Sequence, residues 1–220
     1  HAEPGPGSGI QLRWQADASR NGRLLIPARR AGSETPDGPV TVEPLVYYSD
    51  DHGTTWHVGK ATSGPDANES EVVELVDGRV LLDGRQAEGE FRRRHISRDG
   101  GQTWGPDQGA QIPVARVDAS LARLAARREG DQENRLVWTA PRGRNGLTRD
   151  QLTLWFSTDE GESFGHPITI NDGFAAYSVA TRLSNGAIGI LAETSEAAST
   201  EGDPYGSIHF YRVELGKSDP

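Results

Sequence analysis

Ser49-Asp50-Asp51-His52-Gly53-Thr54-Thr55-Trp56 sets a pattern that returns twice, as Ser97-Arg98-Asp99-Gly100-Gly101-Gln102-Thr103-Trp104 and as Ser157-Thr158-Asp159-Glu160-Gly161-Glu162-Ser163-Phe164. The shared form is Ser-x-Asp-x-Gly-x-(Ser/Thr)-aromatic, and successive copies start 48 and 60 residues apart. The serine ends an apolar–polar run, Val46-Tyr47-Tyr48 in the first copy and Leu154-Trp155-Phe156 in the third. An aspartate that bonds the backbone ahead of it, and a glycine that supplies positive φ, then make a tight turn. The aromatic begins the next strand and can fold under the turn. Each copy reads as a hairpin staple, and its recurrence points to a repeat architecture.

Around each staple a four-strand rhythm recurs. The first unit reads Gly9–Trp14, Arg23–Ala28, Val40–Tyr48 and Trp56–Gly59; the second Glu71–Leu75, Arg79–Asp83, Phe91–Ile96 and Trp104. The third reads Ser120–Leu124, Arg135–Thr139, Gln151–Phe156 and Phe164–Ile168; a fourth, without a staple, reads Tyr177–Leu183, Ala187–Ala192 and Ser207–Val213. Asn21-Gly22, Asp77-Gly78 and Asn185-Gly186 mark hairpin turns. Helix is limited to Ala119–Arg128, which fits a strand and loop equally well. The expectation is an all-β chain whose units are propeller blades, near 9–60, 68–108, 118–170 and 175–215, against the alternatives of a β-sandwich or a solenoid. The staple falling between the third and fourth strand favours blades. About four blades lie at the low edge of closed propellers.

The 220 residues are 25% charged and 34% hydrophobic, with 23 basic against 32 acidic side chains and a net charge of −9. That balance argues against a broad nucleic-acid surface, while a few local arginines can still hold an anionic ligand at contact range. No apolar run reaches the ~18–20 residues of a membrane helix, and no signal-peptide pattern opens the chain. Cysteine is absent, which excludes disulfides and thiolate metal sites. His52 and His57 lack a third ligand nearby, so neither metal nor cofactor is expected. There is no methionine, and the opening His1-Ala2-Glu3-Pro4 reads as a processed product or a piece of something longer.

The staples resemble the Asp-boxes of the sialidase (neuraminidase) superfamily, whose members are six-bladed propellers of this kind. The box speaks for fold rather than function, but other segments are similar to the family in order. Asn68-Glu69-Ser70-Glu71-Val72-Val73-Glu74-Leu75 resembles the strand that presents a glutamate, and Asp77-Gly78-Arg79-Val80-Leu81-Leu82-Asp83-Gly84-Arg85 the second-strand arginine. Arg149-Asp150-Gln151-Leu152-Thr153-Leu154-Trp155 looks like the next arginine, and Ala175-Ala176-Tyr177-Ser178 like the catalytic-tyrosine strand. Gly5-Pro6-Gly7-Ser8-Gly9-Ile10-Gln11-Leu12 also has a family look. The family's first arginine, in an Arg-Ile-Pro strand, and its acid aspartate are not found here; Leu25-Ile26-Pro27 lies too late and follows a leucine. The resemblance thus implies the C-terminal part of a propeller whose first two blades are missing.

What the resemblance implies chemically is an exo-sialidase-type retaining hydrolase acting on terminal sialic acids or related 2-keto sugar acids. The substrate carboxylate sits on the carbon that bears the glycosidic bond, so a neutral tyrosine avoids the repulsion a carboxylate nucleophile would meet. A phenol with a pKa near ~10 needs a base beside it; Tyr177 takes the first role and Glu69 the second. Arg85 and Arg149 clamp the carboxylate through planar paired donors. Glu193 matches the glutamate that orients the absent first arginine, and Asp118 and Gln11 are candidates for supporting or substrate contact. The partners implied are a sialylated glycan or related acidic sugar, and the family suggests a secreted or cell-envelope setting.

Taken without the resemblance, Tyr177 reads as a packed or rim residue and Glu69 as a turn-adjacent surface acid. Arg85 or Arg149 then pairs with Asp83 or Asp150, and Arg92-Arg93-Arg94 is a solvated strand end. Two functional rivals also stand: a propeller that binds sialoglycans or protein without cleaving them, and a relative acting on another acidic sugar. Blades without their ring neighbours expose sheet faces. The isolated 220-residue chain is therefore expected to self-associate or aggregate in sedimentation experiments; a well-behaved monomer contradicts this.

Overall fold

The computed structural model describes residues 2–32, 40–64, 66–144, 147–195 and 207–215. In all three staples the same bonds close the turn. The serine hydroxyl donates to the aspartate Oδ1, at 2.8 Å for Ser49–Asp51, 2.8 Å for Ser97–Asp99 and 2.7 Å for Ser157–Asp159. The same hydroxyl accepts the glycine N–H of Gly53, Gly101 and Gly161 at 2.8 Å each. The aspartate then accepts the backbone N–H and hydroxyl of Thr55, Thr103 or Ser163, at 2.5–2.9 Å. The glycines sit at φ 88°, 87° and 85°, as the turn chemistry requires. The residue before each is also left-handed: His52 at 59°, Gly100 at 70° and Glu160 at 62°. Trp56 folds onto its own turn, its Nε1 donating to the Gly53 carbonyl at 3.0 Å.

The described residues are all-β apart from short 3-10 turns at Ala18–Arg20 and Arg127–Glu129. The strands are β1 (Ala2–Pro4), β2 (Ile10–Gln11), β3 (Leu24–Gly32), β4 (Thr41–Ser49), β5 (His57–Val58), β6 (Ala67–Glu74), β7 (Val80–Gln86) and β8 (Arg93–Ser97). They continue with β9 (Ser120–Ala125), β10 (Arg135–Pro141), β11 (Asp150–Ser157), β12 (Gly165–Arg182), β13 (Ile188–Thr194) and β14 (Ile208–Val213). The Ala119–Arg128 stretch is therefore a strand and a tight turn. Gly22, Gly78 and Gly186 take the positive φ expected of hairpin glycines, at 92°, 87° and 88°.

Two compact units divide the chain, His1–Ala110 and Gln111–Pro220. The first holds a sheet ordered β1-β3-β4-β5, with β2 also on β3, and a three-stranded sheet β6-β7-β8. Leu12, Leu25, Val46, Val72, Val80 and Leu82, each at most 1% exposed, form one cluster in this unit, with Trp104 against it. The expected strand at Trp104 is instead a segment alongside β8, where Gly105, Gln108 and Ala110 donate N–H groups to the carbonyls of Ile96, Arg94 and Arg92 at 2.8–2.9 Å. Buried carboxylates of β6 hold the N-terminal segment. Glu74 accepts the N–H groups of Arg13 and Trp14 at 2.7 and 2.9 Å, and Glu71 accepts that of Ser8 at 3.1 Å.

The second unit is one six-stranded antiparallel sheet, ordered β14-β13-β12-β11-β10-β9. The strands expected at Phe164–Ile168 and Tyr177–Leu183 are parts of the single strand β12, which pairs with β11 along one stretch and β13 along the next. Leu124, Val137, Leu152, Leu154, Phe156, Ile188 and Ile190 fill its core. Trp138 and Trp155 face each other across β10 and β11 with ring centroids 4.9 Å apart, and the staple's Phe164 lies 5.6 Å from Trp138.

The arginine run overturns one expectation. Arg92 and Arg94 are buried, and both hold Asp83, which is itself fully buried on β7: Arg92 Nε at 2.6 Å and Arg94 Nε at 2.9 Å. Arg93 reaches Asp107 at 3.7 Å. Burial alone raises the Asp83 carboxyl, but the two guanidinium charges outweigh it and hold the group below the usual carboxylate range. Removing one member of such a cluster leaves buried charge uncompensated.

Two outcomes follow. Asp83→Ala is expected to cost about 3–5 kcal/mol of unfolding free energy in denaturant titration; a loss under about 1 kcal/mol contradicts the buried cluster. At the staples, the Thr55 hydroxyl, followed by the Thr55 N–H and Ser49, lowers the Asp51 carboxyl from 3.8 to about 2. Asp99 and Asp159 are also lowered, burial opposing and the Thr103 and Ser163 hydroxyls prevailing. A depressed carboxyl stabilises the fold above its unfolded value, and that stability is lost as pH falls through the folded value. Unfolding titrations should therefore show staple stability falling between about pH 4 and pH 2, with a flatter profile in Asp51→Asn; equal slopes in both proteins contradict the assignment.

Candidate functional site

In the first unit, Glu69 and Arg85 face each other across β6 and β7. Ala67 pairs with Gln86 and Ser70 with Gly84, so Asn68 and Glu69 together oppose the single residue Arg85. That is a one-residue β-bulge, a feature that re-aims side chains and gathers near active sites. Glu69 is 7% exposed, and Arg85 Nη1 donates to its Oε2 at 2.5 Å. Glu69 is thus no surface acid. Arg85 pairs with it, while Asp83 is held by Arg92 and Arg94.

In the second unit, Tyr177 lies on a matching irregularity of β12. Ala175 pairs with Thr194 and Ser178 with Ala192, so Ala176 and Tyr177 oppose the single residue Glu193. The bulge takes the Tyr177 N–H out of the ladder, and Glu193 Oε2 accepts it at 3.2 Å. Just beyond, the strand is fixed by side chains of β10 and β9. Ser178 and Thr139 share a hydroxyl hydrogen bond at 2.9 Å, and Ser120 Oγ accepts the Ala180 N–H at 2.9 Å. The half-buried phenol packs against Ala115, Val117 and Ala176. Asp118, which follows Val117, is buried at 4% exposure.

Arg149 is tied to β12 through the backbone, its carbonyl accepting the N–H of Ala175, two residues before Tyr177, at 3.0 Å. Its guanidinium Nη2 donates to the Arg116 carbonyl at 3.2 Å. Asp150 is 3.7 Å from Arg144. Gln151, two residues after Arg149, stands at φ 58°, an unfavourable backbone for a non-glycine residue of the kind found at functional sites. Gln11 serves its own hairpin, donating to the Gly22 carbonyl at 3.2 Å. No helix among the described residues is long and apolar enough to cross a membrane.

The two bulges share one template. Glu69 precedes Arg85 by 16 residues, and Tyr177 precedes Glu193 by 16. Each pair flanks a hairpin whose glycine lies seven residues before the second member, Gly78 before Arg85 and Gly186 before Glu193. Counting strand register back from those turns places each pair opposite, so the cross-strand relation was available in the sequence. The extra residue on the first strand was not.

Residues 4–190 match the family model described as BNR repeat-like domain. The sialidase of Vibrio cholerae is 30% identical over 224 residues, and that of Micromonospora viridifaciens 32% over 189. The alignments cover 88% and 85% of this chain, which spans 28% of the length of each relative. Among solved structures, the Hadza microbial sialidase Hz136 superposes with a TM-score of 0.75 at 22% identity, over 97% of this chain and 38% of that one. The intramolecular trans-sialidase of Ruminococcus gnavus, in complex with oseltamivir carboxylate, gives 0.71 at 22% identity, over 97% and 44%. The fold is that of sialidase propellers, and the chain belongs to the sialidase family with BNR repeat-like domain.

Proposed function

We propose that this chain is the part of an exo-sialidase-type retaining glycoside hydrolase that carries the nucleophile, its base and two carboxylate-binding arginines. The observation that supports the reading is the matched pair of bulges, in which Glu69 and Tyr177 hold equivalent places in two hairpins. The substrate class is a terminal sialic acid or a related 2-keto sugar acid.

In the proposed reaction Tyr177 attacks the anomeric carbon as Glu69 takes the phenol proton, and the glycosidic bond breaks with its electron pair leaving on the aglycone oxygen. Water then cleaves the tyrosyl–sugar bond, and the anomeric configuration is retained. A phenol suits the step because it brings no negative charge toward the substrate carboxylate. Arg85 and Arg149 bind that carboxylate. A guanidinium carries five N–H donors, enough for Arg85 to hold Glu69 and a ligand oxygen together. Protonation of the leaving group and a third guanidinium are assigned to parts of the protein outside these 220 residues.

The experiment is turnover of an aryl sialoside by the full-length protein. Tyr177→Phe should abolish hydrolysis, and Glu69→Gln should lower kcat by about 100- to 10,000-fold. Arg85→Ala or Arg149→Ala should each weaken substrate binding by about 1.5–3 kcal/mol, roughly tenfold to a hundredfold. Undiminished turnover in Tyr177→Phe refutes the assignment, and saturable binding of the glycan without any hydrolysis identifies a binding propeller instead.

A further inference from the structure

The hairpin position that carries Arg85 and Glu193 is occupied once more. Arg29 on β3 also follows a left-handed hairpin glycine, Gly22, by seven residues. Its counterparts serve the bulge of their own hairpin. Arg29 reaches the bulge of the next one: its Nη1 donates to Asn68 Oδ1, the residue that forms the β6 bulge together with Glu69. Its other face is held by Glu3 on β1, directly opposite in the β1–β3 register, with Nε donating to Glu3 Oε1 at 3.0 Å and Nη2 at 2.9 Å. Glu3, Arg29 and Asn68 thus form a chain that ends one residue before Glu69, whose own carboxylate is held by Arg85.

We propose that Arg29 is a positioning residue for Glu69, acting through Asn68; the claim deepens the catalytic reading above and rests on it. A bulge gives up regular ladder pairing, so its conformation is set by whatever ties the surplus residues. On β12 that tie is Glu193 to the Tyr177 amide. On β6 Arg85 holds the Glu69 carboxylate, and Arg29 adds a second tie at the Asn68 side chain, its guanidinium in turn fixed by Glu3. A planar, charged donor makes a stronger tether than a neutral one. The Asn68 amide group carries the constraint onto the backbone that presents Glu69. As positioning residues, Arg29 and Asn68 are given no part in bond making or proton transfer.

The test has two arms in the full-length protein. In aryl sialoside kinetics, Arg29→Ala should lower kcat about tenfold with KM within about twofold, and Arg29→Lys should restore part of the loss. Arg29→Ala combined with Asn68→Ala should be no worse than the more damaging single change, as for residues that act in series. The second arm needs no turnover. Hydrogen exchange at the amides of Asn68, Glu69 and Ser70 should be about tenfold faster in Arg29→Ala, with β7 amides unchanged. Unchanged exchange at the bulge overturns the proposal whatever the kinetics show, and so do losses that add fully in the double variant. Faster exchange in a protein that turns over no sialoside supports the tether and removes the catalytic reading.

Discussion

A serine hydroxyl that both donates to an aspartate and accepts a glycine amide closes each stapled turn, and the path of the chain into the segment that follows depends on it. The bonds span only four residues, so the turn forms from local sequence and presents the following aromatic in a fixed direction. Three copies with nearly the same φ at the glycine show one solution reused. Between them the sheets carry little intrinsic instruction about where one unit ends: β12 runs unbroken from Gly165 to Arg182 and serves two neighbours in turn. The first and third staples sit inside hairpins, joining β4 to β5 and β11 to β12, strands that pair with each other.

Within this regular frame the candidate chemistry sits where regularity fails. One surplus residue on a first strand lifts Glu69 or Tyr177 out of the ladder, and a charged side chain on the second strand answers it. Arg85 answers through the Glu69 carboxylate; Glu193 answers through the Tyr177 amide. The repeat thus supplies a position, filled by Glu69 in one hairpin and by Tyr177 in the other, and the proposed reaction gives these two the roles of base and nucleophile. Glu193, expected to be the holder of an arginine, has a role inside this chain that needs no arginine.

What was legible in the sequence was what local chemistry or the hairpin count determines. The staple bonds, the turn glycines and most strand centres follow from spacing alone, and family order marked Glu69, Arg85, Arg149 and Tyr177. The buried Asp83 cluster was not legible, because three consecutive arginines look solvated until strand pairing sets Asp83 opposite Arg94. Nor was the continuity of β12, since Asn171-Asp172-Gly173 has the composition of a turn while its backbone stays extended. The bulges escaped for a further reason: a one-residue surplus depends on which side chains tie it down, and those lie on other strands.

The claim that matters most is that Tyr177 is the atom donor to a covalent sugar bond. Incubating the full-length protein with 2,3-difluorosialic acid, followed by intact-mass measurement and peptide mapping, tests it directly. The account predicts one sugar adduct on the peptide that contains Tyr177, absent when that residue is phenylalanine. A protein that hydrolyses sialosides yet carries the adduct on another residue contradicts it.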